Sequence, residues 1–223
     1  MSTLSASARD EPQVKRARGD ELIDTGGPSR SSGLKAPIML LYGHDAPVTT
    51  LKFDPSGRYL ASGSNDKRIF LWNVYGDCNN FNVLEGHKNV VLDLEWNRSG
   101  SKLVSASADK TVGVWDANRG VRSKKYSEHK GVVNSVNLSR GDEPLLVSGS
   151  DDAKALVWDL RARRSAQTLE APFAITAVSF SADDELVFTA GIDNVVRAWD
   201  RRREEVVFTM KGHTDSVTGM SLR

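Results

Sequence analysis

One spacing recurs four times along this chain: a Ser or Thr is followed by an Asp four residues later, and a Trp follows six residues after that Asp. The sets are Ser62, Asp66 and Trp72; Ser105, Asp109 and Trp115; Ser148, Asp152 and Trp158; and Thr189, Asp193 and Trp199. The Trp positions lie 43, 43 and 41 residues apart. An internal period of roughly 40–45 residues with this ending is typical of β-propeller blades. We therefore predict an all-β fold in which each repeat forms one blade.

Each repeat contains short β-type segments separated by turns. In the first repeat the segments are Val48–Phe53, Tyr59–Gly63, Arg68–Asn73 and Phe81–Leu84, and a Pro-containing turn begins at Asp54. Pro at the second turn position and Gly at the fourth suit a tight β-turn. The first three segments recur in each later repeat: Val90–Trp96, Lys102–Ser105 and Thr111–Trp115; Val132–Leu138, Leu145–Ser148 and Ala155–Trp158; and Ile175–Phe180, Leu186–Thr189 and Val195–Trp199. No segment has helical periodicity over ten or more residues. The sequence thus predicts four complete four-stranded blades and the start of a fifth.

Composition narrows the function classes. Lys and Arg total 30 against 29 Asp and Glu, a balance that gives no global attraction to nucleic acid or to an anionic membrane. Cys78 is the single cysteine, so no intrachain disulfide or cysteine-rich zinc site is expected. No phosphate-binding loop, nucleophile elbow or metalloprotease motif occurs. We expect a binding platform without catalytic, cofactor-binding or metal-binding residues, a small-molecule substrate or a membrane span.

The first 35 residues differ from the rest of the chain. Ser, Ala, Gly, Arg and Asp dominate and no period is visible, so residues 1–35 are predicted to be a disordered tail. The run Val14–Arg18 is a basic cluster of the kind that a nuclear import receptor reads, or a charge run that keeps the tail solvated. Residues 36–223 are predicted to form the propeller region.

All four histidines occupy related positions. His44, His87 and His213 each follow a Gly, His129 follows a Glu, and the first three blades place the His 28 or 29 residues before their Trp. The fourth blade has no His where one is due. Histidines about 42 residues apart in separate repeats would rarely converge on one metal ion, so a structural role is favoured.

This pattern resembles the WD-repeat family, in which His, Ser or Thr, Asp and Trp of one blade form a buried hydrogen-bond chain. The resemblance implies the sets His44, Ser62, Asp66 and Trp72; His87, Ser105, Asp109 and Trp115; His129, Ser148, Asp152 and Trp158; and a reduced set of Thr189, Asp193 and Trp199. Asp only accepts, indole N–H only donates, and imidazole and hydroxyl can do both, so such a chain can satisfy itself without water. The fourth blade is expected to be less rigid.

Several segments are more particular. Ala36–Leu41, Leu71–Cys78, Gly191–Asn194 and Gly212–Gly219 resemble the WD-repeat subunits of the spliceosomal U5 small nuclear ribonucleoprotein. The resemblance implies a non-catalytic nuclear scaffold that docks on protein subunits of that large particle during pre-mRNA splicing. Whether RNA is contacted directly is left open. The alternative is a WD-repeat adaptor of another complex, such as a ubiquitin-ligase substrate receptor or a chromatin-associated subunit.

Two arginine clusters follow the third and fourth Trp. They comprise Arg161, Arg163, Arg164, Arg201, Arg202 and Arg203. Both clusters occupy equivalent turns, so they are predicted to share one end of the blades. They are candidates for a contact with phosphate or an acidic peptide. The favoured alternative is a solvated turn that acidic turns at the same end partly neutralise.

The repeat also predicts what this sequence lacks. Family propellers close when the strand before the first blade completes the last one, a role that falls to Ile38–Tyr42 here. The sequence ends inside the fifth repeat, and it is therefore interpreted as a C-terminally shortened piece of a seven-bladed ring. We expect exposed strand edges at both ends of the array.

Overall fold

The computed structural model describes residues 38–141 and 144–222, all within the larger of the two units into which the chain divides, 33–223. The described residues form four antiparallel sheets, each with its strands in chain order. Blade 1 contains β1 (Val48–Phe53), β2 (Tyr59–Ser64), β3 (Ile69–Asn73) and β4 (Asn80–Leu84); blade 2 contains β5 (Val91–Trp96), β6 (Lys102–Ser107), β7 (Val112–Asp116) and β8 (Val121–Tyr126). Blade 3 contains β9 (Val133–Leu138), β10 (Leu145–Ser150), β11 (Lys154–Asp159) and β12 (Ser165–Glu170); blade 4 contains β13 (Ile175–Phe180), β14 (Leu186–Gly191), β15 (Val195–Asp200) and β16 (Glu205–Lys211).

The predicted all-β fold with four complete blades is confirmed. The largest differences lie at the second strands of blades 2, 3 and 4, which end at Ser107, Ser150 and Gly191, two residues later than predicted. Ser107 pairs with Val91, Ser150 with Val133 and Gly191 with Ile175, in each case beyond a β-bulge. A bulge inserts an extra residue into one strand and lets pairing continue past it. The ladder therefore extends into what reads in the sequence as a turn.

Neighbouring blades pack through the inner strands. In blades 2 to 4 the fourth and sixth inner-strand residues are buried against the preceding blade; they are Leu94, Trp96, Val136, Leu138, Val178 and Phe180. The equivalent residues of blade 1, Leu51 and Phe53, are 57% and 60% exposed. Blade 1 thus presents an uncovered face, and the described residues form an open array. This agrees with the interpretation of the sequence as part of a ring.

Polar side chains lock the same junctions. The carboxylate of Asp93 in β5 accepts hydrogen bonds from Ser135 Oγ and Val136 N of β9, at 2.9 and 3.0 Å. Trp96 Nε1 donates to the carbonyl of Lys52 in β1 at 3.0 Å. These bonds satisfy buried polar atoms across blade boundaries, which fixes the register between blades as well as within them.

The prediction of a strand at Ile38–Tyr42 is wrong. These residues form no regular strand, and Ile38, Leu40 and Tyr42 are exposed. Met39 and Leu41 instead line a shallow apolar pocket on blade 1. A single strand cannot satisfy its backbone hydrogen bonds without a partner strand, and the described residues provide none at this position.

The residues after β16 occupy the position of a fifth inner strand, although they form no regular strand. Val217 is buried, its N–H donates to the carbonyl of Gly191 at 3.2 Å, and its own carbonyl accepts from Thr176 Oγ1. Arg140 Nη2 donates to the carbonyl of Leu222 at 2.6 Å. The start of a fifth blade therefore packs against blade 4.

The predicted disordered tail (residues 1–35) and its basic cluster lie outside the described residues. Within the described part, no helix is long and apolar enough to cross a membrane. The described residues also contain no group of three or more His, Cys, Asp or Glu side chains arranged to hold a metal ion.

Candidate functional site: the hydrogen-bond chains and the apical end of the blades

The structure brings together the predicted Trp, Ser, His and Asp of each of the first three blades. Trp Nε1 lies 2.8 Å from Ser Oγ in all three blades, for Trp72 and Ser62, Trp115 and Ser105, and Trp158 and Ser148. The same Ser Oγ lies 2.8, 2.6 and 2.8 Å from Nε2 of His44, His87 and His129. His Nδ1 lies 2.8, 2.9 and 3.0 Å from Oδ2 of Asp66, Asp109 and Asp152.

The chemistry of the two ends fixes the direction of each chain. Indole can only donate and a carboxylate can only accept. The Trp N–H therefore donates to Ser Oγ, the Ser hydroxyl donates to His Nε2, and His Nδ1–H donates to Asp. In a neutral imidazole this arrangement places the proton on Nδ1. Each chain is then complete, with no unpaired donor or acceptor along it.

Each Asp also anchors the loop that enters its blade. We call the end of the blades that carries these loops the apical end. The backbone N–H after each His donates to the Asp at the apical end, from Asp45 at 3.1 Å and from Lys88 and Lys130 at 2.8 Å. The Asp thus joins the incoming loop to the turn between the second and third strands.

The hydrogen bonds govern the ionisation of these carboxylates. Burial raises the pKa of Asp109, but the hydrogen bonds from His87, Thr111 and the backbone of Lys88 outweigh burial and hold the pKa well below its ordinary value. The pKa values of Asp66 and Asp152 are lowered by the same balance of burial against hydrogen bonds. All three carboxylates are therefore charged acceptors at neutral pH, which strengthens the bonds they receive.

For His129, burial outweighs the interactions with its carboxylate partner. Burial lowers the pKa of His129 by more than the hydrogen bond and charge of Asp152 raise it. The imidazole is therefore neutral at pH 7, and its Nε2 can accept the hydrogen bond from Ser148. The fold uses this histidine as a structural bridge.

Blade 4 keeps only part of the arrangement. Trp199 Nε1 donates to Thr189 Oγ1 at 2.8 Å, but Asp193 pairs with the guanidinium of Arg197. Arg197 lies opposite Thr189 in the β14–β15 ladder, at the register position that Phe70, Gly113 and Leu156 hold in the other blades. The hydrogen bond from Arg197 lowers the pKa of Asp193 despite burial. Arg197 thus partly replaces the missing His.

The loop that enters blade 4 explains why the replacement is incomplete. Ala171 lies four residues before the first inner-strand residue of blade 4, where the other three blades have the His. Pro172 follows it, at the position that Asp45, Lys88 and Lys130 hold in the other blades. Proline has no backbone N–H, so the donor that reaches the Asp in the other blades is missing. One oxygen of Asp193, Oδ1, is correspondingly buried without a hydrogen-bond partner.

The loop that enters blade 4 also lacks a side-chain hydrogen bond from the end of the second strand. Ser64 Oγ and Ser107 Oγ donate to carbonyls of the loops that enter blades 1 and 2, whereas blade 4 has Gly191 at this position. A Cβ at Gly191 would lie only 2.1 Å from the carbonyl oxygen of Ala174. The backbone therefore passes closer here than a Ser would allow, and the loop has fewer side-chain bonds to its blade.

Arg197 should therefore support the stability of blade 4. Arg197→Leu, which installs the residue of blade 3, is expected to lower the unfolding free energy by about 1–2 kcal/mol because Asp193 stays buried without its cationic partner. Adding Ala171→His and Pro172→Lys to this variant should restore most of the loss by recreating the blade 3 set. Urea unfolding followed by Trp fluorescence measures both. If Arg197→Leu leaves the unfolding midpoint unchanged, the replacement role of Arg197 is wrong.

The predicted arginine clusters lie at the other end of the blades, which we call the basal end. Arg201 Nε donates to the carbonyl of Asp184 at 3.1 Å, so this residue is tied to the neighbouring acidic turn. Arg202 and Arg203 are exposed and make long ion pairs with Glu185 and Asp200, both at 3.9 Å. Such pairs contribute little to stability.

The other three arginines, Arg161, Arg163 and Arg164, are also exposed. Lys124 Nζ, from blade 2, holds this turn through the carbonyls of Leu160 and Ala162. The turn backbone is thus fixed from a neighbouring blade, and the guanidinium groups extend from it. A partner contact through these side chains stays a prediction.

Reasoning from the sequence missed four residues at the apical end of blade 4: Arg197, Pro172, Phe173 and Ile192. Aligning the repeats position by position provides the signal, since Pro172 falls where the other blades supply an N–H donor. Phe173 corresponds to Ala46, Asn89 and Gly131, and Ile192 corresponds to Asn65, Ala108 and Asp151. Both side chains are more than half exposed, at 53% and 52%.

Four-stranded blades, each held by a Trp–Ser–His–Asp chain or its variant, define a propeller-type repeat protein. The family profile described as WD domain, G-beta repeat matches residues 35–73, 78–116, 120–159 and 163–200. The chain belongs to the WD-repeat family.

Curated relatives match the chain over nearly its full length. It is 41% identical over 213 residues to the U5 small nuclear ribonucleoprotein 40 kDa protein of Dictyostelium discoideum, covering 95% of this chain and 60% of the relative. It is 38% identical over 217 residues to the pre-mRNA-splicing factor cwf17 of Schizosaccharomyces pombe, covering 96% and 64%. The Homo sapiens U5 small nuclear ribonucleoprotein 40 kDa protein is 46% identical over 196 residues, covering 88% and 55%. The chain thus spans between 55% and 64% of the length of these relatives.

Proposed function

We propose that this chain is a non-catalytic scaffold subunit of the U5 small nuclear ribonucleoprotein and acts in pre-mRNA splicing in the nucleus. The observation that carries the proposal is the similarity to three relatives named for U5 or for splicing, at 38–46% identity over 88–96% of the chain. A match to generic WD repeats alone would favour no particular complex, since one fold hosts many functions.

A scaffold role is supported by how the blades use their polar residues. In blades 1 to 3 both ring nitrogens of the His are engaged by Ser and Asp of the same blade. These histidines serve the fold, and they are not positioned as a base or a ligand. A rigid array of blades with variable turns at both ends is suited to presenting surfaces to protein subunits of a large particle.

Affinity purification tests the proposal. The tagged chain, added to nuclear extract, is expected to recover U5 RNA and U5 protein subunits, measured by RNA blotting and mass spectrometry. A tagged WD-repeat protein of an unrelated complex is the control. Recovery of a ubiquitin ligase or a chromatin complex in place of U5 components would overturn the proposal.

The same purification tests the basal arginines. In the Arg163→Glu, Arg164→Glu, Arg202→Glu and Arg203→Glu variant we expect unchanged recovery, because the acidic basal turns neutralise two of these side chains and all four are solvated. Arg201 is left intact because its hydrogen bond to Asp184 makes it structural. A several-fold drop in recovery would instead assign the basal end as the partner contact.

A further inference from the structure

The apical end of blade 4 carries two large, exposed apolar side chains that the other three blades lack at the equivalent positions. At two positions where the other blades carry small or polar residues, blade 4 carries Phe173 and Ile192. Scattered exposed apolar residues are normal on a protein surface, but adjacent large ones mark contact sites.

Phe173 and Ile192 belong to backbone segments that are in direct contact. The N–H of Ile192 donates to the carbonyl of Ala174, the residue after Phe173, at 3.3 Å. The entering loop and the turn after β14 therefore lie next to each other at one end of the blade, and each carries one of the two side chains. Pro172 restricts the backbone immediately before Phe173, which lowers the entropy lost when a partner orders the loop.

Exposed carboxylates flank this apolar pair on both sides. On the blade 3 side, Asn134 Nδ2 bridges the carboxylate of Asp151, at 2.7 Å, and the carbonyl of Ile175, at 2.9 Å. On the other side, Val217 N donates to the carbonyl of Gly191, and Asp215 lies two residues before Val217. Asp151 and Asp215 are both exposed.

We propose that Phe173 and Ile192 form a docking site for a short segment of a protein partner that carries a bulky apolar side chain between Lys or Arg residues. The apolar side chain packs against Phe173 and Ile192, and the flanking cations pair with Asp151 and Asp215. Aromatic anchors with complementary charges around them are typical of binding hot spots. The inference deepens the scaffold proposal by naming one contact surface and the chemistry of its partner.

The test uses the purified full chain and two labelled peptides in a fluorescence-polarisation titration. The first peptide has the sequence Lys-Arg-Leu-Trp-Leu-Arg-Lys, and the second replaces every cation with Glu. We expect the basic peptide to bind with a dissociation constant on the order of 10–100 μM and the acidic peptide to bind at least tenfold more weakly. Equal binding of the two peptides, or no binding of the basic peptide at 1 mM, overturns the proposal.

Variants locate the binding. Phe173→Asn with Ile192→Asn installs residues found at the equivalent positions of blades 2 and 1, and it should weaken binding of the basic peptide at least tenfold with an unchanged melting temperature. Tyr75→Asn is the matched control, since Tyr75 is 54% exposed at the basal end. Asp151→Asn with Asp215→Asn should weaken binding about threefold and reduce its salt dependence.

Two outcomes of these measurements overturn the site. Unchanged binding to the Phe173→Asn, Ile192→Asn variant places the peptide elsewhere. Direct binding of labelled decauridylate to the parent chain that this variant abolishes makes the surface a nucleic-acid site. Because the titration contains no ribonucleoprotein, its result is separate from recovery of U5 components. If the peptide binds but U5 components are not recovered, the U5 proposal is wrong and the docking site stands. If U5 components are recovered but the peptide does not bind, only the docking site is wrong.

Discussion

Asp109→Ala is expected to lower the unfolding free energy by about 3 kcal/mol, which corresponds to a fall in melting temperature of roughly 6–12 °C for a chain of this size. The carboxylate accepts four hydrogen bonds: from His87 Nδ1 at 2.9 Å, Lys88 N at 2.8 Å, and Thr111 N and Oγ1 at 3.0 and 2.6 Å. Alanine leaves all four donors without their acceptor, and the buried imidazole loses the charge that orients it. Differential scanning calorimetry and urea unfolding measure the loss.

Asp193→Ala in blade 4 is the matched control for this experiment. One of its oxygens already lacks a partner, and its main bond is to Arg197, which can turn toward solvent. We expect a loss of about 1 kcal/mol, well below that of Asp109→Ala. Equal losses in the two blades would contradict the conclusion that the complete chain, and not the carboxylate alone, stabilises a blade.

The sequence predicts the strands well because the repeat supplies four copies of one pattern. Val48–Phe53 and Ile175–Phe180 have the predicted bounds, since hydrophobic alternation and flanking turn residues both end there. The exceptions have local causes. The bulges near Ser107, Ser150 and Gly191 lengthen three strands. Ile38–Tyr42 lacks a strand partner, which the pattern of one segment cannot reveal.

The departures in blade 4 could be predicted only in part. The missing His is visible in the sequence, but its consequence depends on Arg197, which lies four residues from Asp193 along the chain and reaches it only through the antiparallel ladder. Pro172 carries a readable signal once the repeats are aligned on the inner strand. The exposure of Phe173 and Ile192 has no such signal, because an aromatic residue in a loop is as compatible with burial as with solvent.

The unfolding free energy is expected to fall in two steps as the pH is lowered from 8 to 3. The first step comes from His129, whose pKa in the folded state lies below its ordinary value of 6.5 because of burial. The unfolded chain then binds more protons, so the contribution of His129 is complete above pH 6.5 and is lost as the pH falls through the lowered value. Protonation also turns Nε2 into a donor, so Ser148 Oγ can no longer donate to it.

The second step comes from the carboxylates at the apical end. Despite burial, hydrogen bonds lower the pKa values of Asp66, Asp109 and Asp152 in the folded state, and the bond from Arg197 lowers that of Asp193. Their contribution is present above the unfolded value of about 3.9 and is lost as the pH falls below it. Each unit of lowering corresponds to about 1.4 kcal/mol, so four such groups should produce a steep loss of stability below pH 4.

Comparison with the His129→Gln variant separates the titration of His129 from that of other groups in the same pH range. Burial raises the pKa values of Asp93 and Glu95, so these two groups bind protons more readily when folded and oppose the loss between pH 6.5 and 4. Their effect is common to the parent and to His129→Gln, and it cancels in the difference. Urea unfolding from pH 8 to 5 should therefore give a shallower slope of free energy against pH in His129→Gln, although its absolute stability is lower. Identical slopes would show that His129 already takes up a proton freely in the folded blade and is not held neutral by burial.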